Sequence, residues 1–255
     1  MTGILPILGY DNFTRWGLTK MGNETTWENI DRLYLLCQPI MQVESLSQQE
    51  LNGYEVLLRS EKNNRFPQQE FSTMIQTESG NQQLMEWYAK ELRRLCQKKP
   101  ETRFSVNIHP QQLLWQSTWS FFETMAVHKE QLQIELTEHP VRIQQESFDL
   151  SVAIAKIKAY GYVIAVDDIG CGQNTLSLVF ANLASVDCLK FSLLPFIQLD
   201  EEIGFSFLAC WLKVAQKYQL ELIVEGIENR EKMVQLLEMG VHLQQGYLWS
   251  KGERL

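Results

Sequence analysis

From Leu33 onward the chain alternates between two periodicities, and this alternation restricts the folds open to it more than any other feature. Short runs of β-branched and aliphatic residues recur at Tyr34–Val43, Tyr54–Ser60, Phe104–Ile108, Leu132–Leu136, Tyr162–Asp167, Val186–Phe191, Leu220–Glu225 and Val241–Leu248. Between most of them, apolar residues fall at the three- and four-residue spacing of helices, as in Leu84–Leu95, Phe148–Ala159, Phe205–Tyr218 and Arg230–Met239. The first two runs are joined by the polar segment Glu44–Gly53, too short for a crossover helix, so they are expected to pair antiparallel. The later runs, each followed by a helical pattern, are expected to lie parallel. The pattern predicts an α/β protein, a TIM-like (β/α)8 barrel with an irregular, partly antiparallel start. A doubly wound open sheet satisfies the same periodicity, because alternation alone does not show closure. The length of 255 residues suits one such barrel, which commonly takes about 250. Residues 1–31, interrupted by Gly9, Gly17, Gly22 and Asn23, read as an N-terminal extension, and 32–255 as the barrel domain.

Parallel strands are buried on both faces and should be apolar, yet nearly every run here ends in a charged or amide residue. These are Glu55 and Arg59, Asn107, Glu135, Asp167 with Asp168, Lys190, Glu225, and Gln245. In a barrel the C-terminal strand ends converge on one mouth, where chemistry is placed. A single buried acid is as readily a structural ion pair as a functional group; the same feature on seven strands is hard to explain structurally. The acids Glu55, Glu135, Asp167, Asp168 and Glu225 outnumber Arg59 and Lys190 by three charges. A desolvated site needs protons or cations to tolerate that excess. Two divalent ions would reverse its sign and suit an anionic phosphodiester. Carboxylates with an amide are hard oxygen ligands and select Mg²⁺ or Mn²⁺ over zinc. Adjacent aspartates fit a pair of ions about 3.5–4 Å apart that activates water and stabilises a leaving oxygen. Taken alone, Asp167-Asp168 before Gly170 and Gly172 also reads as a turn or a helix cap.

Composition removes other classes. The net charge of −8 argues against wrapping polymeric nucleic acid, whose binding footprints are basic. Five scattered cysteines without a C-x-x-C pair are expected to be reduced thiols rather than a disulfide framework or zinc site. The four histidines, His109, His128, His139 and His242, lack ligand spacing. No basic start precedes the short apolar run Ile4 to Leu8, and no run approaches the roughly 20 apolar residues that span a bilayer. The expected compartment is the cytoplasm, without membrane insertion.

Across Leu33 to Ser250 the motifs, their order and their spacing resemble the EAL-domain family of cyclic di-GMP phosphodiesterases. Gln38-Pro39-Ile40 is similar to the family's Q-P-I, Glu55-Val56-Leu57 stands at its E-A-L, and Leu58-Arg59 follows. Val106-Asn107 resembles V-N, Glu135-Leu136-Thr137-Glu138 resembles E-x-T-E, and Asp167-Asp168-Ile169-Gly170 resembles D-D-F-G. Leu189-Lys190, Glu225-Gly226-Ile227-Glu228 and Gln245-Gly246-Tyr247 are similar to L-K, E-G-V-E and Q-G-Y. The resemblance implies a barrel that hydrolyses cyclic di-GMP to linear pGpG with two metal ions. It implies Glu55, Asn107, Glu135 and Asp167 as ligands of one ion, with Asp167 and Asp168 reaching the second. It implies Lys190 as the group that orients or polarises the attacking water, Glu225 as metal-linked ligand or base, and Gln245 as support of the water network. Gln38 and Arg59 would contact substrate, Glu138 would brace the loop after Asp168, and a homodimer is implied through that loop. Val56, on the face opposite Glu55, is expected to matter little. Three departures stand out. Ser192 takes the place of the aspartate in the family's K-I-D, Ile169–Thr175 replaces F-G-T-G-Y-S-S, and Trp249-Ser250-Lys251-Gly252 lacks the usual proline. They motivate a second expectation, a non-catalytic domain that binds cyclic di-GMP or a protein partner. A two-metal hydrolase acting on another phosphoester is a third.

Overall fold

In the computed structural model, residues 30–141, 148–197 and 200–255 are described; the expected extension over residues 1–31 therefore falls, but for its last two residues, outside them. Eight strands close into one barrel in sequence order: β1 (Leu33–Val43), β2 (Gln49–Ser60), β3 (Arg103–Ile108), β4 (Leu132–Leu136), β5 (Val163–Val166), β6 (Cys188–Ser192), β7 (Glu221–Glu225) and β8 (Leu243–Gln245). Around it lie α1 (Gln68–Met74), α2 (Glu78–Lys98), α3 (Gln116–Met125), α4 (Leu150–Ala159), α5 (Leu176–Ala181), α6 (Leu194–Ile197), α7 (Glu201–Tyr218) and α8 (Arg230–Glu238).

Closure decides between the two α/β architectures the periodicity allows. β1 pairs antiparallel with β2 and with β8, and every other neighbouring pair is parallel. The β1–β2 connection is a tight turn in which Glu44 and Ser45 N–H groups donate to the Gln48 carbonyl, so β2 begins five residues earlier than the Tyr54 expected from sequence. β5 ends at Val166, because Asp168 takes a left-handed φ of 43° that cannot continue a strand. α2, α7 and α8 start on side-chain caps that satisfy orphan N–H groups: Thr77 Oγ1 accepts from Gly80 N at 3.1 Å for α2, Asp200 from Glu202 N at 2.8 Å for α7, and Asn229 from Lys232 N at 2.9 Å for α8.

The main core lies between the strands and the helical ring, where Phe104, Phe122, Ile134, Tyr162, Leu84 and Leu92 are fully buried. Val56, the residue in the alanine position, is in this layer and buried. Inside the barrel a separate apolar layer is formed by Ile40, Ala165, Cys188, Ile223 and Leu243. Ser105 and Gln133 belong to the same interior and hydrogen-bond to each other at 2.9 Å. Side chains on a strand return to the same face every second residue. One step toward the mouth from Gly53, Ser105, Gln133, Ala165, Cys188, Ile223 and Leu243 therefore come Glu55, Asn107, Glu135, Asp167, Lys190, Glu225 and Gln245. On β1, which runs the other way, the corresponding step from Ile40 leads to Gln38. The plug inside the barrel thus fixes a polar layer directly above it.

Candidate active site

That polar layer is organised around one ammonium. Lys190, fully buried, places Nζ 2.5 Å from Glu225 Oε1, 2.8 Å from Glu135 Oε2, 3.3 Å from Glu55 Oε2 and 3.4 Å from Asp167 Oδ1. Burial alone would strip its proton, but the four surrounding carboxylates outweigh burial and hold Lys190 protonated far above the usual lysine range. Glu55 is held by donors on three sides: Asn107 Nδ2 at 2.7 Å, Gln245 Nε2 at 2.6 Å and Lys190. Burial raises its pKa, yet Lys190 and these donors bring it below the ordinary glutamate value. Gln245 Nε2 also donates to Gln38 Oε1 at 3.1 Å, and Gln38 Nε2 donates to the Ser250 carbonyl at 3.2 Å, linking β1 to the chain's last turn.

The remaining acids are under-compensated. Burial, with Glu55 and Asp167 nearby, pushes Glu135 up to about 8 against the pull of Lys190. Burial, then Asp167 and Glu138, push Asp168 up to about 7. Glu135 Oε1 is buried with no hydrogen-bond donor among the described residues. Carboxylate oxygens of Glu138, Asp167 and Asp168 lie within 4.8 Å of one another. Converging hard oxygen donors with too few protein cations are what divalent Mg²⁺ or Mn²⁺ would satisfy, and the residues present fit such ions.

The structure brings together Gln38, Glu55, Asn107, Glu135, Asp167, Lys190, Glu225 and Gln245, with Asp168 beside Asp167. Arg59 stands apart, two steps beyond Glu55 on the rim, its Nη1 donating to the Leu58 carbonyl at 2.9 Å. There it lines a cavity of about 760 Å³ next to Asn107, walled by Leu57, Phe66, Phe71, Tyr88, His109 and His139. This apolar cavity escaped the sequence, because its walls combine residues of β2, α1 and α2 with loop residues far apart in the chain. Glu138 stands beside the paired aspartates. Its side chain joins the two aspartates, while its carbonyl accepts from Gln173 N at 2.8 Å and so also anchors the loop. Its place two residues past the end of β4 was the available signal. All five cysteines are free thiols, and no helix of the described residues is long and apolar enough to cross a membrane.

A closed eight-stranded α/β barrel with an acid-rich polar layer at the C-terminal strand ends defines the class. Residues 28–252 match the sequence profile of the EAL domain. The chain belongs to the EAL domain family. It is 27% identical over 234 residues to "Probable cyclic di-GMP phosphodiesterase PdeN" of Escherichia coli K12, covering 87% of this chain and 43% of that protein. It is 29% identical over 157 residues to "Cyclic di-GMP phosphodiesterase PdeA" of Borreliella burgdorferi, covering 59% of this chain and 22% of that one. The chain thus spans less than half the length of these curated relatives. Among solved structures, the PaMucR phosphodiesterase in complex with c-di-GMP superposes with a TM-score of 0.67 at 18% identity, covering 89% of this chain and 94% of that one. The manganese and cyclic di-GMP complex of Klebsiella pneumoniae BlrP1 gives a TM-score of 0.66 at 22% identity, covering 87% of this chain and 60% of that one. At these identities the likeness speaks to the fold.

Proposed function

We propose that this chain is a metal-dependent phosphodiesterase that hydrolyses cyclic di-GMP to linear pGpG. The observation that carries the reading is Lys190 at the centre of Glu55, Glu135, Asp167 and Glu225, beside the Asp167–Asp168–Glu138 group. One cation would be held by Glu55, Asn107, Glu135 and Asp167, and the second by Asp167 and Asp168 with Glu138 at hand. Bound there, Mg²⁺ or Mn²⁺ supplies charge neutralisation for the phosphodiester and a lowered pKa for water. Lys190 Nζ directs the attacking water and keeps the carboxylates from repelling it. Glu225 takes the proton as the water oxygen bonds to phosphorus, one P–O ester bond breaks, and the leaving oxygen recovers a proton. Gln245 holds Glu55 in place. Arg59 meets a phosphate with its planar fork of donors, Gln38 contacts the substrate beside it, and the adjoining apolar cavity accepts a flat base.

The test is incubation of purified protein with cyclic di-GMP and Mg²⁺ or Mn²⁺, with chromatography for pGpG. Product from wild type that disappears in Glu55→Ala is the expected result; binding without turnover under either metal would favour the non-catalytic reading, which Ser192 motivates. A homodimer belongs to the same proposal. Leu176 and Phe180 of α5 are exposed directly after the 169–175 loop, and light scattering should return twice the monomer mass; a monomer at assay concentration would remove it.

A further inference from the structure

The loop after the paired aspartates departs from F-G-T-G-Y-S-S, with Asn174 standing where that pattern has a serine. Asn174 is fully buried. Its Nδ2 donates to the Leu136 carbonyl at 2.9 Å and to the Asp167 carbonyl at 2.5 Å. The first acceptor is the last residue of β4, which also receives the Asp167 N–H at 3.0 Å. The second is the peptide oxygen between Asp167 and Asp168, so one amide sets the rotation of the peptide that carries Asp168 into its φ of 43°. The backbone of Asn174 closes the same loop: its carbonyl accepts from Gly170 N at 2.8 Å, and its N–H donates to Cys171 O at 2.9 Å.

We infer that Asn174 is a positioning residue for the Asp167–Asp168 pair, supplying the support that the altered loop would otherwise lack. The inference rests on the two-cation reading above. The chemistry is particular to an amide. Its NH₂ has two donor hydrogens, one for each carbonyl, whereas a serine hydroxyl has one and can serve only one of them; Leu136 O keeps the Asp167 N–H in either case, so the bridge between the two carbonyls is what a serine loses. The bond to the Asp167 carbonyl fixes the peptide that joins the two aspartates, and with it the left-handed backbone from which the Asp168 side chain projects.

The experiment compares wild type, Asn174→Ser and Asn174→Ala with Asn182→Ala. Asn182 is likewise a buried bridging asparagine, bonded to Ser151 Oγ and Leu178 O at the far end of α5 from the loop. Mn²⁺ affinity is titrated by electron paramagnetic resonance without substrate, and melting is recorded without metal. Weakening of Mn²⁺ binding by about 10- to 100-fold is expected for both Asn174 variants, the range for groups that orient ligands. Asn182→Ala should lower the melting temperature and leave Mn²⁺ affinity unchanged. Should Asn174→Ala not fold, Asn174→Ser, which keeps one donor, supplies the reading. Unchanged affinity in a folded Asn174 variant, or an equal loss in Asn182→Ala, would overturn the positioning role. Failure of wild type to bind Mn²⁺ overturns the two-cation reading and this role with it.

Discussion

Ser192 is the residue whose exchange tells most about the site. It lies two residues beyond Lys190 on the same face of β6, in register with Glu225, and it is buried. Its hydroxyl accepts from the Leu194 N–H at 3.3 Å. Ser192→Asp would add a carboxylate beside an ammonium and a cluster short of cations, and should tighten Mn²⁺ binding or raise turnover several-fold, on the order of the gain from one close charge. Steady-state kinetics and a metal titration that do not move would show that the missing acid is immaterial. At this scale the sequence was informative wherever strand periodicity operated. Glu55, Asn107, Glu135, Lys190, Glu225 and Gln245 could be read because each is a charged or amide residue in or ending an apolar run, on a known face. The part of Asn174 could not, because it lies in a loop where backbone dihedrals obey no period and spatial neighbours are not sequence neighbours, while Glu138 was marked only by its place just past β4.

Among the elements, the segment from β5 to α5 is held tightly against the end of β4. Gly172 has a φ of 49°, and a Cβ there would stand 2.2 Å from the Glu138 carbonyl. Backbone must shift to admit it, so Gly172→Ala should cost at least about 1 kcal/mol of stability. It should also weaken metal binding, because the moved loop carries Asp168 and the displaced carbonyl belongs to Glu138. Thermal melting with and without Mn²⁺ checks both effects, and a variant that melts and binds like wild type would show the loop to be pliable. The long amphipathic helices α2, α4, α7 and α8 were legible. The short α1, α5 and α6 were not, as a helix of two turns or fewer offers little periodicity, and neither was α3, whose ten residues carry only four apolar side chains. Closure of β1 onto β8 was equally invisible, being set by the accumulated tilt of all strands rather than by any one of them.

Across the whole molecule, site charge and folding are coupled through pH. Glu135 and Asp168 keep their protons to about 8 and about 7 in the metal-free fold, whereas an unfolded chain releases them near 4. The folded state therefore binds more protons over that interval, and these two groups lower stability progressively as pH rises from about 4 to about 8. Glu55 has the opposite sign, contributing above its unfolded value and losing that contribution only under acid. On the two-cation reading, divalent ions would displace the protons of Glu135 and Asp168, so the rise in melting temperature on adding Mn²⁺ should be larger at pH 8 than at pH 6. An equal rise at both pH values would sever the coupling. Lys190 gives this balance a further meaning. With four carboxylates already gathered around its ammonium, the ring brings its own counter-ion and need not wait for a metal in order to close. On the two-cation reading, assembly and loading would then be separate events in the life of the molecule. The supply of divalent ions would act as a throttle on finished protein rather than as a condition of its making.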